Sequence, residues 1–336
     1  MGRYVITLDS GTTNTRALLW EDRQVIAKAK REVGVRNTAI DGSNVRLKDA
    51  IRSCIQEVLA SAGRQESDLH AILASGMISS NVGLAEIAHC TAPVSAKMLS
   101  EAVRCILLND VCHVPITFIP GVKNCVSSVD LAHFSEMDMM RGEEVESLAL
   151  LSVYPEGRPY LLILPGSHMK FVSADAQGRL TGCLTSISGE LLSCITEHTI
   201  IADAVGRQFA SAEFYDSEMV ILGYEEAKRA GLGRACFSAR ILSQFGHLPP
   251  QQLANYVLGT VIQSDIVALN SAQWLALAPE TAVVVSGKDP LRQAMADVLR
   301  HEGRFKDIDV YTPEADIPLS AIGARKLAEL TWESLS

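Results

Sequence analysis

The sequence predicts two α/β domains, each built on a mixed β-sheet. Three observations support this prediction. The chain has 336 residues, more than a single hydrophobic core usually serves. Its first third reads as three strands, a helix, a strand and a helix, and the same order returns after residue 160. Alternating strands and helices are typical of α/β domains. We place the joint near residues 155–159, which gives domains at 1–155 and 156–336.

Apolar runs and one apolar stripe predict the elements of the first half. Short runs bounded by turn residues indicate strands, and Val45, Ile51, Ile55 and Val58 recur at helical spacing. We predict strands at 4–8, 17–20, 25–33, 69–73 and 116–119. We predict helices at 44–61, 96–108 and 139–151.

The second half repeats this order with a longer helical region. Turn signals at Pro165-Gly166 and Gln177-Gly178 separate the first three strands. We predict strands at 160–164, 171–174, 180–186, 283–285 and 308–311. We predict helices at 191–201, 290–300, 320–330 and much of 217–273, with breaks at 231–233 and 249–250.

Composition excludes several classes of protein. Hydrophobic residues make up 48% and charged residues 21% of the chain, as in ordinary globular proteins. The formal net charge is −9 without a basic stripe, so we exclude a nucleic-acid partner. The apolar runs are strand-sized, far below the ~20 residues of a membrane span. No signal peptide precedes Asp9, and the eight cysteines lack metal-finger spacing, so we expect a cytoplasmic protein with reduced, mostly buried thiols and no membrane partner.

The strongest local signal lies between the first two predicted strands, at Asp9-Ser10-Gly11-Thr12-Thr13-Asn14-Thr15-Arg16. Phosphate oxygens need close approach by backbone N–H groups, which Gly11 allows, and the polar side chains that follow it add donors. Asp9 suits a water-mediated contact with Mg²⁺, which takes few protein ligands. The structural alternative is a polar β-hairpin without a ligand.

A second turn holds the equivalent place in the second half, at Pro165-Gly166-Ser167-His168-Met169-Lys170. Gly166 and Ser167 stand at the turn and a cation follows at Lys170. Two such turns would hold a triphosphate from both sides. The alternative is a plain Pro-Gly turn, with His168 an ordinary turn histidine. No G-x-x-x-x-G-K-[ST] loop occurs, so a nucleotide would bind by the hairpins.

An acidic pair, Glu143-Glu144, follows Arg141-Gly142 at a predicted helix start. Phosphoryl transfer to an alcohol needs a carboxylate near the attacking hydroxyl and cations near the transferring group. The alternative is that acids in a first turn only favour the helix dipole. Successive helical side chains point about 100° apart, so only one of the two glutamates can face a substrate. We rank Glu143 first.

Five ordered motifs carry a resemblance to a known family. The chain resembles the 2-dehydro-3-deoxygalactonokinases, members of the superfamily that includes hexokinase and actin. The matching segments span most of residues 4–191. They are Asp9 to Arg16, Gly76-Met77 with Ser80-Asn81-Val82-Gly83, Met140 to Glu144, Pro165 to Phe171, and Ser188-Gly189-Glu190-Leu191. The chain departs from the family at Ser10, where an aromatic residue is usual, and in a longer 200–275 region.

The resemblance implies a two-domain actin-like ATPase (ribonuclease H-like) fold with a cleft between the domains. It also implies Mg²⁺–ATP as the phosphoryl donor and the terminal hydroxyl of a 2-dehydro-3-deoxy-aldonate as the acceptor. Both hairpins would bind phosphate, and Ser80, Asn81 and Glu190 would bind substrate hydroxyls. The small residues Ser286, Gly287 and Gly323 would form an adenosine slot. Asn81 as a helix N-cap and Glu190 as a first-turn acid are the structural alternatives.

Three arginines are candidates for the substrate carboxylate or the transferring phosphoryl group, because planar bidentate recognition suits arginine. They are Arg16, Arg36 and Arg141. Two other functions compete with the main hypothesis. One is a kinase for another sugar or sugar acid on the same fold, and the other is a catalytically silent nucleotide-binding regulator. A homodimer is left open.

Overall fold

The computed structural model describes residues 3–313 and 316–333. By contact, these residues form two compact units. Unit 1 contains residues 3–156, 178–180 and 316–333, and unit 2 contains 157–177 and 181–313. The predicted division at residue 155 assigned the C-terminal helix to the second domain. That helix packs instead on the helix after Gly142, in unit 1.

Unit 1 is built on a six-stranded sheet with the order β3-β2-β1-β4-β7-β6 and a small sheet with the order β5-β8-β9. Its strands are β1 Tyr4–Ser10, β2 Thr15–Glu21, β3 Gln24–Arg31, β4 Leu69–Gly76, β5 Cys90–Thr91, β6 Arg104–Ile106, β7 Ile116–Phe118, β8 Val122–Lys123 and β9 Met139–Met140. Its helices are α1 Val35–Asp41, α2 Val45–Ser61, α3 Ala96–Ala102, α4 Glu143–Leu151 and α10 Leu319–Glu333.

Strand β1 is the central element of unit 1. It pairs antiparallel with β2 and parallel with β4, and its apolar residues are buried because helices cover the sheet. Helix α2 presents Ile51, Ile55 and Val58 of the predicted stripe to this core, all fully buried. Val45, the first residue of the predicted stripe, is exposed, and Leu47 is buried instead.

Unit 2 is built on a five-stranded sheet with the order β12-β11-β10-β13-β14. Its strands are β10 Tyr160–Leu164, β11 Met169–Ala174, β12 Leu180–Ser186, β13 Ala282–Val285 and β14 Ile308–Val310. Its helices are α5 Ser188–His198, α6 Ser217–Ala230, α7 Leu232–Phe245, α8 Pro250–Ser271 and α9 Leu291–Glu302.

Helix α8 forms the centre of the unit 2 core. Two glycines set its distance from α6. A Cβ on Gly259 would lie 1.8 Å from the Val220 carbonyl oxygen, and a Cβ on Gly223 would lie 1.9 Å from the Tyr256 carbonyl oxygen. Only glycine therefore permits the close packing of these two helices.

The two units repeat one strand arrangement. In each, an antiparallel three-stranded meander ends on a central strand that continues into parallel strands, β1 with β4 in unit 1 and β10 with β13 in unit 2. The first turn of each meander joins the unit's first two strands, so the two turns occupy equivalent positions in their sheets.

The largest errors in the predicted elements lie in unit 1. The helix predicted at 96–108 ends at Ala102 and is followed by strand β6, and the helix predicted at 139–151 begins at Glu143, after strand β9. Helix α1 and strands β5, β6, β8 and β9 were not predicted. Each is short, so tertiary contacts rather than periodicity define it.

None of the helices within residues 3–313 and 316–333 is long and apolar enough to cross a membrane.

All eight cysteines are free thiols, but only Cys54, Cys112, Cys183 and Cys236 are buried, so the expectation that most would be buried was wrong.

Candidate functional site

The turn between β1 and β2, called hairpin 1 (residues 9–16), is held from one side by α1. The amides of Val35 and Arg36 donate to the carbonyl oxygens of Gly11 and Thr12, over 3.1 and 3.0 Å. The amides of Thr12 and Thr13 have no acceptor among the described residues. Unpaired amides in a tight turn are the feature that binds phosphate oxygens.

Asp9 lies at the edge of hairpin 1 and is half-buried. Arg16 Nη1 donates to Asp9 Oδ2 over 3.2 Å, and the Ser320 hydroxyl at the start of α10 is a second donor. Burial nevertheless raises the pKa of Asp9, and the nearby Glu143 carboxyl raises it further. Ser320 was not predicted, because nothing in the local sequence indicates that α10 returns to β1.

Two glycines bring the start of α4 close to Asp9. Gly76 has φ +85°, and a Cβ there would lie 2.9 Å from the Ser10 carbonyl oxygen. Gly142 has φ +115°, and a Cβ there would lie 3.2 Å from Gly76 Cα. Both positions combine a left-handed backbone with close approach, so glycine is required at each.

The two predicted glutamates at the start of α4 have different surroundings. Glu143 is half-buried, and its Oε2 accepts from the Arg141 amide over 2.9 Å. Glu144 is fully buried, and its Oε2 accepts from the Gly142 amide over 2.7 Å. Glu144 Oε1 has no partner in the described part of the chain. Burial raises the pKa of Glu144 to about 8, so it is largely a neutral acid at pH 7.

A third glutamate, Glu146, was missed by sequence reasoning. Burial, together with the nearby carboxyls of Asp9, Glu143 and Glu144, raises its pKa to about 8. Residues three apart share one face of a helix, so Glu146 follows Glu143 on the side of α4 near Asp9. The three-residue spacing was a usable signal for this residue.

Arg141 holds the loop after β4. Its Nη1 donates to the Ser79 carbonyl oxygen over 2.6 Å and to Ser79 Oγ over 2.8 Å, and its Nη2 donates to the Ile87 carbonyl oxygen over 2.9 Å. Nη2 also lies 3.1 Å from His89 Nε2. Burial and the Arg141 charge lower the pKa of His89 to about 4. Because both terminal nitrogens bind protein groups, Arg141 fixes this loop, which differs from its predicted catalytic role.

The two other residues predicted in this loop differ in exposure. Ser80 is buried and donates from Oγ to the Met77 carbonyl oxygen over 2.7 Å. Asn81 is exposed. Of this pair, therefore, Asn81 is the one whose side chain is open to solvent.

The turn between β10 and β11, called hairpin 2 (residues 165–170), is contacted by the start of α5. The Glu190 amide donates to the Ser167 carbonyl oxygen over 3.0 Å, and a Cβ on Gly189 would lie 2.2 Å from the Gly166 carbonyl oxygen. Glu190 Oε1 lies 3.2 Å from His168 Nε2. The amides of Ser167 and His168 have no acceptor among residues that the structure describes, as in hairpin 1.

Lys170, the cation predicted to follow hairpin 2, lies inside unit 2. It lies in β11 opposite Leu164 and is only 4% exposed. Its Nζ donates to the Thr185 hydroxyl of β12. The alternation of side chains along a strand directs position 170 into unit 2, which a turn-centred prediction did not consider.

The small residues predicted to form an adenosine slot are divided between the units. The buried Ser286 donates its amide to the Ile163 carbonyl oxygen over 2.9 Å, and Gly287, with φ +101°, lies against Pro165 of hairpin 2. Gly323 belongs to α10 in unit 1, and a Cβ there would lie 2.0 Å from the Val145 carbonyl oxygen. Its size is therefore required for packing α10 on α4, and the predicted role of Gly323 in an adenosine slot stays a prediction.

Among the three predicted arginines, Arg36 has the most accessible side chain. It is exposed at the start of α1 and makes no ion pair within the described residues. Arg16 is paired with Asp9, and Arg141 holds the loop after β4. The structure therefore brings together Asp9, Arg16, Glu143 and Glu144 in unit 1, and Gly166, Ser167, His168, Glu190 and Gly287 in unit 2.

Comparisons with known proteins identify a single family. The model of the 2-keto-3-deoxy-galactonokinase family matches residues 9–310. The chain is 26% identical over 276 residues to the 2-dehydro-3-deoxygalactonokinase of Escherichia coli (strain K12), covering 80% of each chain. It is 30% identical over 219 residues to a proposed 2-dehydro-3-deoxygalactonokinase of Rhizobium meliloti (strain 1021), covering 64% of each.

Solved structures agree with this fold. The crystal structure of a proposed 2-dehydro-3-deoxygalactonokinase of Sinorhizobium meliloti matches with a TM-score of 0.74 at 23% identity, over 98% of this chain and 99% of that one. A proposed N-acetylglucosamine kinase of Porphyromonas gingivalis matches with a TM-score of 0.50 at 14% identity, over 96% and 99%. The chain has the two-domain actin-like ATPase fold, and it belongs to the 2-keto-3-deoxy-galactonokinase family of carbohydrate kinases.

Proposed function

We propose that the protein transfers the γ-phosphoryl group of ATP to the terminal 6-hydroxyl of 2-dehydro-3-deoxy-D-galactonate, a step of galactonate catabolism. The hydroxyl oxygen forms a bond to the γ-phosphorus while the bond to the β-phosphate oxygen breaks. The hydroxyl proton passes to the protein, and the products are ADP and the sugar-acid 6-phosphate. The observation that carries the proposal is a half-buried glutamate beside Asp9 at a turn with unpaired amides, in a chain of this family.

Glu143 is the proposed general base. It is half-buried, lies close enough to Asp9 to raise the pKa of that residue, and can reach a hydroxyl at the same edge of the sheet. Glu144 is a poorer candidate because it is fully buried and its raised pKa leaves it largely protonated. A base must be both accessible and ionised to accept a proton.

The carboxylates around Asp9 fit a magnesium ion held through water. Asp9 and Glu146 lie close enough for each to contribute to one acidic cluster, and burial raises both pKa values. A divalent cation would relieve this unfavourable concentration of charge. No group of three ligand side chains capable of holding a metal occurs among the described residues. Mg²⁺ keeps several of its waters and takes few protein ligands, and Asp9 with Glu146 would hold it through water. Bound there, Mg²⁺ would neutralise charge on the nucleotide phosphates.

The unpaired amides of both hairpins are proposed to bind phosphate oxygens of ATP. Thr12 and Thr13 supply them in hairpin 1, and Ser167 and His168 supply them in hairpin 2. Ser286 and Gly287, which follow β13 next to Pro165, are proposed to lie beside the nucleotide. Backbone amides suit this role because their position is fixed before the ligand arrives.

Recognition of the sugar acid is assigned to exposed polar side chains. Arg36 is proposed to bind the substrate carboxylate, because its guanidinium is exposed and makes no ion pair among the described residues. Asn81 and Glu190 are proposed to bind hydroxyl groups. Arg141 orients the loop that carries Asn81 through its bonds to Ser79 and Ile87.

An assay of ATP consumption over a panel of sugars and sugar acids tests the proposed function. We expect turnover with 2-dehydro-3-deoxy-D-galactonate well above that with other acceptors. Turnover only with another acceptor would assign a different kinase on the same fold. Nucleotide binding without turnover of any acceptor would identify a catalytically silent regulator.

Glu190→Ala tests the assignment of Glu190 to the substrate. We expect KM for the sugar acid to rise about tenfold, the effect of one hydrogen bond to a charged group, while KM for ATP changes little. The amide of residue 190 can still donate to Ser167. A selective rise in KM for ATP would instead assign Glu190, through its contact with His168, to the nucleotide.

A further inference from the structure

Helix α8 of unit 2 carries a buried acid, Asp265. Asp265 is the one charged residue in the 22-residue helix α8, and it is fully buried. Its neighbours along the helix, Ile262 and Ile266, belong to the hydrophobic core. An ionisable group in such surroundings is costly unless its hydrogen bonds compensate for lost water, so its presence in an otherwise uncharged helix needs a reason.

Asp265 binds the segment that leads from β12 into α5. Its Oδ1 accepts hydrogen bonds from the hydroxyls of Ser186 and Ser188, and these two hydroxyl oxygens lie 2.8 Å apart. Its Oδ2 has no partner within the part of the chain that the structure describes. All the bonding of this carboxylate seen here is thus directed at one turn, 186–188.

The turn held by Asp265 is continuous with the contact on hairpin 2. Ser188 begins α5, and the next two residues are Gly189 and Glu190. Gly189 lies so close to hairpin 2 that a Cβ would fall 2.2 Å from the Gly166 carbonyl oxygen, and the Glu190 amide donates to the Ser167 carbonyl oxygen. A displacement of residue 188 would therefore change the backbone whose amides are proposed to bind phosphate.

We propose that Asp265 is a positioning residue for phosphoryl transfer, which through Ser186 and Ser188 fixes the start of α5 against hairpin 2. The inference rests on the proposed function for its kinetic consequence. The seryl donors lower the pKa of Asp265, but burial outweighs them and raises it to about 6. The group is therefore largely ionised at neutral pH, the form that accepts from both hydroxyls. Hydrogen bonds to an ionised acceptor are about twice as strong as neutral ones.

Asp265→Asn is the main test. We expect kcat/KM for ATP to fall about 10–100-fold, because a misplacement of about 1 Å is enough for such a loss. Amide hydrogen exchange should become faster at residues 166–168 and 188–190. Ser186→Ala removes one donor from a half-buried position, and we expect a smaller fall of about threefold to tenfold. Ser186→Thr keeps the hydroxyl and should restore wild-type kinetics.

Ile187→Ala is the matched control. Ile187 lies between the two serines, and its side chain is exposed, so neither kcat/KM nor amide exchange should change. If Asp265→Asn does not fold, the comparison of Ser186→Ala with Ser186→Thr still tests the proposal. Equal kinetics and equal exchange at 166–168 in those two variants and in the wild type would overturn it.

The outcome is separable from that of the proposed function. Wild-type protein without turnover on any sugar acid would refute the kinase assignment, whereas amide exchange in Asp265→Asn would still report whether Asp265 fixes hairpin 2. A variant that is less stable but keeps wild-type kcat/KM and wild-type exchange at hairpin 2 would give Asp265 a structural role only, and would overturn the inference.

Discussion

Hairpin 1 and hairpin 2 hold equivalent places in two sheets of the same strand arrangement, yet different groups surround them. Three carboxyls, those of Asp9, Glu143 and Glu146, gather beside hairpin 1. Hairpin 2 faces one exposed acid, Glu190, paired with His168, and its lysine is buried. The shared topology fixes where each turn lies, whereas the helix that packs on the turn determines its chemistry.

In both units, glycines allow the start of a helix to pack closely against the hairpin. In unit 1, Gly142 and Gly76 allow the start of α4 to approach Asp9, and in unit 2, Gly189 allows the start of α5 to approach Gly166. Helix α4 brings glutamates to its hairpin, and α5 brings a backbone amide and the serines that bind Asp265. The comparison predicts a metal and acid–base role for hairpin 1 and a phosphate-holding role for hairpin 2.

Asp9→Asn should have the largest effect. We expect Mg²⁺-dependent turnover to be lost, because the neutral amide cannot share the ion's charge, while the fold is kept by the hydrogen bond from Ser320. Steady-state rates over a Mg²⁺ series measure this. Ser320→Ala is the control, since it removes one donor but keeps the carboxylate. A near-wild-type kcat in Asp9→Asn would contradict the metal-binding role that distinguishes hairpin 1 from hairpin 2.

Glu143→Gln should lower kcat by about 10²–10⁴, the usual contribution of a positioned general base. Glu144→Gln should have little effect on kcat, because Glu144 is buried and largely protonated. The two variants make the same glutamate-to-glutamine change at adjacent positions, so each is the control for the other. A large loss only in Glu144→Gln would reverse the assignment, and no loss in either would exclude the start of α4 from acid–base catalysis.

Gly189→Ala should raise KM for ATP about tenfold or more, since the added Cβ would lie 2.2 Å from the Gly166 carbonyl oxygen and the backbone of hairpin 2 must shift. Gly233→Ala is the control. A Cβ on Gly233 would meet open space at the start of α7, so kinetics should stay unchanged and stability should rise by up to about 1 kcal/mol. Unchanged KM in Gly189→Ala would mean that α5 does not fix hairpin 2.

The smallest expected effect concerns stability and pH. The folded pKa values of Glu144 and Glu146, about 8, lie above the ordinary value of 4.5. These two groups therefore bind more protons in the folded protein than in the unfolded chain between these values, so their contribution to stability is fully present below pH 4.5 and is lost as pH rises to about 8. Glu144→Gln should make this fall shallower. Melting temperatures of the wild type and the variant across this range measure it, and parallel curves would contradict it.

Much of the fold was accessible to sequence reasoning because its long elements follow regular periods. Strands β10 and β12 have the predicted bounds, 160–164 and 180–186. Helices α7 and α8 begin at Leu232 and Pro250, within the breaks predicted at 231–233 and 249–250. The short elements were missed, since a strand of two or three residues, such as β5 or β6, carries no periodicity. The actin-like ATPase fold and the family followed from the order of five motifs and agree with the comparisons.

The site was predicted in part, and the omissions have identifiable causes. Asp9, Glu143 and the two turns lie next to their motifs in the chain, so local sequence indicated them. Glu146 could have been found from its spacing to Glu143. Ser320 and Asp265 could not, because each acts on a segment far away in sequence, Ser320 on β1 and Asp265 on the turn before α5.

By itself, the sequence determined the two meanders, the glycines at their turns and the acids at the start of α4, because each depends on local backbone geometry and residue type. Only the tertiary structure decided which glutamate is buried, that Gly323 serves helix packing, and that Lys170 lies inside unit 2. These outcomes depend on which surfaces pack together. Burial changes the pKa and the accessibility of a side chain without changing its identity. These two properties therefore cannot be read from the sequence alone.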